Sequence, residues 1–410
     1  MSQTKIFNDP VYGFVTIPTA TLFKVIEHRY FQRLRYIKQL GLTHMVYPGA
    51  LHTRFHHAIG ALHLLLEALE VLRMKKVKIS DEEAEAVSLA VLLHDIGHGP
   101  FSHALENTLV QGITHEEISA LFISKLNGEL DGTLSLAIEM FNGRYHRPFF
   151  NQLISGQLDV DRLDYLRRDS FYTGVSEGVI GSERIIKMMD VVDDELVVEA
   201  KAIYSIEKFL IARRLMYWQV YLHKTVIGAE VLLVKILQRA RKMAEKGEAL
   251  FCSPALAFFL YKPLQAADFR ANPKVLDTFA RLDDHDIMVS VKAWSQHPDL
   301  VLSLLCQRLV NRQLFKIEIS DNPFSEDRIA LYRYAMVTDW NIPLEDAGYF
   351  VFSDIVENNA YNAETNKIMI LQKDGDITGF SQASDYPYSS VQSGIVKKYF
   401  LCYPKELNKA

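Results

Sequence analysis

Apolar positions recur at helical spacing from Thr19 to about Lys246, with turn residues between successive blocks. The pattern predicts an all-α body. One helix start is explicit: Ser80-Asp81-Glu82-Glu83 forms a capping box ahead of the run AEAVSLAVLL, and this helix is expected to stop near Gly97. A second, long helix is expected from Tyr204 to about Lys246, since neither Pro nor a Gly pair interrupts it. A short β-like patch, Glu195 to Val198, precedes it.

After Gly247 the pattern changes. Pro254, Pro263 and Pro273 punctuate shorter helical pieces, and strand signals take over from about Leu314. The segments LFKIEIS, YFVFS, KIMIL and KKYFLCY are rich in β-branched and aromatic residues, and Lys373-Asp374-Gly375-Asp376 reads as a hairpin turn. The expected fold is mainly α: a helical body over residues 1–250, then a smaller C-terminal region, 251–410, that is helical and then α+β.

With 410 residues, 49% of them hydrophobic, the chain can bury a large core. Lys and Arg number 45 against 50 Asp and Glu, so the net charge of −5 gives no global attraction to nucleic acid or an anionic membrane. An anionic substrate would have to be attracted locally. Cys252, Cys306 and Cys402 are odd in number and far apart, which argues against a disulfide framework and for a reducing compartment. The opening MSQTKIFNDP has charge and Pro where a signal peptide needs an apolar core, so a soluble, cytoplasmic protein is expected.

Nine of the 14 histidines fall between His44 and His115. The densest piece is HDIGHGPFSH, His94 to His103, at the end of the capped helix. Continued helix would put His94 and His98 on one face, with Asp95 about 100° round from His94 and able to approach the same ion. Imidazole beside carboxylate suits a borderline or hard divalent metal, and no cysteine is near enough for a thiolate site. Further ligands must come from other helices; His57 in RFHHAIG and an aspartate of DVDRLDYLRRD have the right chemistry. In the latter, Asp161, Asp164, Tyr165, Arg168 and Asp169 share one helical face. Such a stripe either lines a site or is a solvated, salt-bridged surface.

The ordered motifs NDPVYG, FQRLRYIKQLG, RFHHAIG, LLHDIGHGPFSH, HEE and DVDRLDYLRRD resemble the HD-domain phosphohydrolases, and within them the deoxynucleoside triphosphate triphosphohydrolases. The resemblance covers about the first half of the chain, with weaker echoes in RRLMYWQVYLHK and RLVNRQLFK. It implies one divalent transition metal per subunit (Mn, Fe, Zn or Ni), with Mg accompanying the nucleotide, and ligands His57, His94, Asp95 and Asp161. It also implies that His98, His103 and His115 assist at the phosphates, with Glu106 behind one of them where the family usually has Asp.

For the substrate, the resemblance implies contacts from Gln39 and Leu40 to the sugar, Tyr165 beneath the deoxyribose, and Arg162 and Arg213 to phosphate. Arg54, Asp169 and Tyr221 complete the substrate set. Tyr217 departs from the family's vertebrate pattern, which has histidine there, so base preference does not carry over. Lys5, Glu27, Arg33 and Arg35 match an activating-nucleotide site between subunits of a dimer or tetramer; alternatively FQRLRYIK is an amphipathic helix with basic residues facing solvent.

The expected reaction is metal-dependent hydrolysis of a deoxynucleoside triphosphate to deoxynucleoside and inorganic triphosphate. Two alternatives stay open. One is an HD phosphohydrolase for another nucleotide ester, monophosphate or cyclic; the other is a nucleic-acid-binding scaffold with a structural metal, supported only by the basic segment Arg29 to Lys38.

Overall fold

The computed structural model describes residues 5–101, 108, 110, 112–359, 367–385 and 395–409. It opens with an antiparallel hairpin, Lys5–Asp9 paired with Gly13–Ile17. The Asp9 carboxylate accepts from the Val11 and Tyr12 amides at 2.9 and 3.1 Å, and Gly13 at φ +76° completes the reversal.

Six helices matter for the site: α1 (Arg54–Met74), α2 (Asp81–Leu93), α3 (His115–Glu129), α4 (Val160–Thr173), α5 (Ile203–Met216) and α6 (Lys224–Glu245). Helix α1 is the spine. It is long and apolar enough to cross a membrane by composition, yet 72% of its apolar window is buried inside the protein, packed against α2 and α4. Its close approach to α4 requires Gly60, where a Cβ would overlap Asp164 Oδ1 and Arg168 Nη2.

Helix α2 starts as expected: Ser80 Oγ accepts from the Glu83 amide at 3.1 Å and Glu83 returns the bond to the Ser80 amide at 2.8 Å. It ends earlier than expected. Leu93 is its last residue, and His94 to Gly97 form turns, so His94 and His98 do not share a helical face. The turn is tied to α3 instead: Ser119 Oγ accepts from the Gly97 amide and donates to the His94 carbonyl, both at 2.9 Å. A Cβ on Gly97 would overlap the His115 carbonyl and the Ser119 amide, so glycine lets this turn sit on the start of α3.

The long helix expected from Tyr204 to Lys246 is in fact two. Helix α5 passes at Tyr217–Tyr221 into one π-helical turn, and α6 restarts after His223, whose Nδ1 accepts from the Thr225 amide at 3.2 Å. Neither Pro nor Gly marks the break. A π-turn widens the helix by one residue and is a frequent device at functional sites.

The expected C-terminal strands form two sheets. Ile395–Tyr403 lies between Lys316–Ser320 and Phe352–Asn359, all antiparallel. The second sheet joins Met189–Val192 and Glu195–Glu199 to the late hairpin Met369–Leu371 and Ile377–Gly379, with Val198 paired in parallel to Ile370. Gly375, at φ +95°, sits in the expected turn of that hairpin. The sheets lie against the helical body, where Ile317 packs on α6 at Gly228, and one hydrophobic core runs through both regions. The chain is thus mainly α with a smaller C-terminal α+β part.

Candidate active site

Three elements converge: α1, the turn after α2, and α4. His57 Nε2 lies 3.3 Å from His94 Nε2 and 3.1 Å from Asp161 Oδ1, and His94 Nε2 lies 3.6 Å from the same oxygen. The ligand atoms of these three residues all fall within 4.8 Å of one another. Their partners fix the tautomers. His57 Nδ1 donates to Asp164 Oδ2 at 2.7 Å and His94 Nδ1 donates to the Val91 carbonyl at 2.6 Å, which leaves a lone pair on each Nε2 facing the cluster. Two imidazole lone pairs and a carboxylate turned towards one point fit a divalent cation.

Asp95 stands at the rim of this group. Its Oδ1 is 3.4 Å from both His94 Nε2 and His98 Nε2, its Oδ2 is 3.8 Å from His57 Nε2, and Arg54 Nη1 pins that second oxygen. Without a cation the same acceptors hold a proton on His57 Nε2, in the place where a metal would take the lone pair, so the electrostatics favour a positive charge at this point. Burial works to discharge His57, but hydrogen bonds and Coulombic attraction from Asp161 and Asp164 outweigh it and push its pKa up to about 10. Asp161 is held far below the usual carboxylate range, against burial, by His57 and His94. His98 moves the other way: burial, then the Arg54 charge, keep it neutral despite Asp95.

Behind the cluster runs a buried chain of charges. Arg168 donates to Asp164 through Nε at 2.9 Å and Nη2 at 3.0 Å, and through Nη1 to Asp9 Oδ2 at 2.8 Å. The polar stripe on α4 is therefore divided: Asp164 and Arg168 point inward and connect His57 to the N-terminal hairpin, while Asp161, Tyr165 and Asp169 line a cavity. Neither surface solvation nor a single site describes it.

That cavity has a volume of about 580 Å³, within the range of small-molecule sites. All eight residues expected to touch substrate are in its wall: Gln39, Leu40, Arg54, Arg162, Tyr165, Asp169, Arg213 and Tyr221. His115, at the start of α3, is there too, its ring stacked on His98 with centroids 4.0 Å apart. Asp169 is fixed between His52 Nε2 and the Tyr221 hydroxyl, each at 2.7 Å. Tyr217, at the π-turn, meets Tyr221 edge-on at 5.1 Å and lines the same wall. His103 and Glu106 lie outside the described residues.

The candidate activator residues separate. Glu27 and Arg35 are exposed and Lys5 is half-buried, Arg35 packing 3.6 Å above the Phe55 ring. Arg33 is buried, its Nη1 donating to the Ile96 and His98 carbonyls at 3.1 and 2.8 Å and its Nη2 to Leu282 at 3.2 Å. It braces the backbone that carries His98.

Sequence reasoning did not find the partners Asp164 and Asp9 or the cavity residue Glu230. Asp164 was visible only as one member of a stripe, and Asp9 only within a turn motif. Glu230 carries no motif at all.

A helical domain that gathers one histidine, a His-Asp pair and a separate aspartate at one point has the arrangement of an HD domain, and the family model of that description matches residues 54–169. A second model, the HD associated region, matches residues 180–250. The Bacillus subtilis protein YwfO is 32% identical over 421 residues, spanning 99% of this chain and 94% of its own. The crystal structure of a Bacteroides thetaiotaomicron phosphohydrolase superposes with a TM-score of 0.95 at 53% identity, covering 98% of this chain and all of that one. The deoxynucleoside triphosphate triphosphohydrolase SAMHD1 homologue of Dictyostelium discoideum is 31% identical over 271 residues, 60% of this chain and 52% of that protein. The chain belongs to the HD-domain phosphohydrolase family.

Proposed function

We propose that this phosphohydrolase cleaves deoxynucleoside triphosphates to deoxynucleoside and inorganic triphosphate. The observation that carries it is one cavity whose wall holds metal ligand Asp161, phosphate-binding chemistry in Arg162 and Arg213, and a sugar-sized set in Gln39, Tyr165 and Asp169. The similarity to the Dictyostelium triphosphohydrolase supports the same substrate class.

A divalent metal held by His57, His94, Asp95 and Asp161 would supply Lewis-acid activation of water and phosphoryl oxygen. Arg162 and Arg213 neutralise the triphosphate, Arg162 being aimed by its pairing with Asp159 and by a 2.6 Å bond to the Gly156 carbonyl. Tyr165, in the cavity wall, would lie beneath the deoxyribose and crowd a 2′-hydroxyl. Water adds to the α-phosphorus, the bond to O5′ breaks, and His115 delivers a proton to that oxygen; general-acid help of this kind contributes on the order of 10²–10⁴ in rate.

The protein would act in the cytoplasm as a homo-oligomer, with Lys5, Glu27 and Arg35 offered to an activating nucleotide and Arg33 acting from beneath. The test is product analysis of purified, metal-loaded protein with four dNTPs and four NTPs, alone and with a second nucleotide. Intact triphosphate beside deoxynucleoside is expected; release of monophosphate or pyrophosphate only, or turnover of nucleoside monophosphates or cyclic nucleotides instead, would remove it.

A further inference from the structure

The chain that leaves α2 is anchored twice, by different parts of the fold. Its first half, with His94 and Asp95, is tied to α3 through Ser119. Its second half rests on residues 279–284, which lie beyond α6 in sequence. Arg33 joins the two segments: it donates to the Ile96 and His98 carbonyls on one side and to the Leu282 carbonyl on the other, its guanidinium 5.3 Å from the centre of the Phe279 ring. Gly99 faces that ring so closely that a Cβ there would stand 3.1 Å from Phe279 Cζ. Two residues further on, the Phe101 amide donates to Asp284 Oδ1 at 2.8 Å.

Asp284 opens helix α7 (Asp284–Trp294) and is buried. Its other oxygen, Oδ2, accepts from the Lys38 amide at 3.0 Å, with Lys38 Nζ 3.4 Å away. One carboxylate thus joins two strips of chain that form a side of the cavity. Gln39, Leu40 and Gly41 line it from the first strip and Phe101 from the second, and the Phe101 carbonyl oxygen lies 3.5 Å from where a Cβ on Gly41 would stand. Phe101 is also strained: its φ of +53° is left-handed, a conformation that a residue with a Cβ keeps only where its surroundings enforce it. Asp284 supplies that restraint on the amide itself.

We propose that Asp284 is a positioning residue for the phosphohydrolase site, holding Phe101 left-handed against Gly41 and so fixing the turn that sets the His98 ring over His115. The residues after α6 thereby take part in the chemistry without touching the substrate. The metal ligands hang from the first anchor, so a loss at Asp284 should leave them in place. The assignment rests on hydrolysis of a nucleotide ester in this cavity and not on which nucleotide is cleaved.

The experiment compares the metal-loaded full chain with Asp284→Asn and Asp284→Ala by three readouts: kcat on the nucleotides named above, metal affinity by chelator competition, and backbone hydrogen exchange read in segment 96–101 by mass spectrometry. Asp284→Ala is expected to lower kcat about 10–100-fold, the scale on which small misplacements of reacting groups are felt. Exchange in segment 96–101 rises about tenfold while α1 and α2 keep their protection. Metal affinity stays within about twofold of wild type, as for a distant, independent site. Asp284→Asn has one acceptor oxygen, serves one of the two amides, and falls between. An aspartate needed only for stability would instead speed exchange in α1 and α2 along with the turn, and metal would be lost with activity.

Wild-type kcat in Asp284→Ala, or faster exchange spread through the whole body, overturns the assignment. If Asp284→Ala does not fold, wild-type kcat in Asp284→Asn overturns it. Turnover confined to nucleoside monophosphates or cyclic nucleotides removes the triphosphohydrolase reading alone, and the same three-way comparison on that substrate then decides for or against Asp284. A wild type that hydrolyses no nucleotide removes both.

Discussion

His57 and Asp164 meet inside the protein, with Asp164 Oδ2 2.7 Å from His57 Nδ1 and neither side chain reaching solvent. The contact makes Asp164 the residue that decides which nitrogen of His57 faces the metal ligands. Without the carboxylate the ring is free to change tautomer and to turn. Asp164→Asn should lower metal affinity about 10–100-fold, the usual effect of removing a carboxylate behind a histidine ligand. Competition with a chelator of known affinity measures this, and a constant within twofold of wild type, roughly the noise of such a comparison, would contradict it.

Gly60 is the point at which α1 and α4 touch, and its missing side chain is the space occupied by Asp164 and Arg168. Gly60→Ala should destabilise by about 1–3 kcal/mol, the ordinary cost of overpacking, and should weaken metal binding with it because the displaced groups support His57. Urea unfolding read beside metal content tests the link. Equal stability with normal metal content would show that the network absorbs a methyl group.

Metal binding should be visible as stability. A cation bound to the folded state and not to the unfolded chain adds ~2.7 kcal/mol when free metal is about a hundred times its Kd. Calorimetric scans of chelator-stripped protein at rising metal concentration should move to higher temperature, and His57→Ala should not respond. Scans that ignore metal in the unaltered protein would sink the assignment of the centre.

Glu230 gives a pH signature. Its folded pKa of about 8 exceeds the ordinary glutamate value of 4.5, so the folded state keeps a proton that the unfolded chain has lost. Stability therefore falls as pH rises from about 4.5 to about 8 and levels off above, by at most about 1.4 kcal/mol for each unit. Glu230→Gln removes this slope. Its advantage over wild type in denaturant unfolding should grow between pH 5 and 8; parallel curves across that window would refute the shift.

The parts of this structure legible from sequence are those where chemistry and spacing coincide. Ser80 and Glu83 announced a helix because a capping box uses adjacent backbone groups, and the Lys373–Asp376 turn was plain because few residues reverse a strand. His57, His94 and Asp161 could be grouped only through the ordered motifs, since their spacing along the chain says nothing about α1, the turn after α2 and α4 meeting. The π-turn at Tyr217–Tyr221 was hidden because its residues are compatible with ordinary helix and only packing of rings around the cavity distinguishes it. The end of α2 at Leu93 was missed for a related reason: the competing bonds come from Ser119, on another helix. Glu230 was invisible, as one acid on an amphipathic helix ordinarily faces water.

The parallel pairing of Val198 with Ile370 ties early and late parts of the chain into one sheet. During synthesis Glu195–Glu199 emerges about 170 residues before Met369–Leu371 exists to cover it, so a nascent chain carries an open strand edge until that hairpin has been made. Closure of that edge is a long-range event and slow in kind. A ribosome stalled within the C-terminal region would thus release a body with its metal ligands all present and its sheet unfinished, a species prone to pair with other chains.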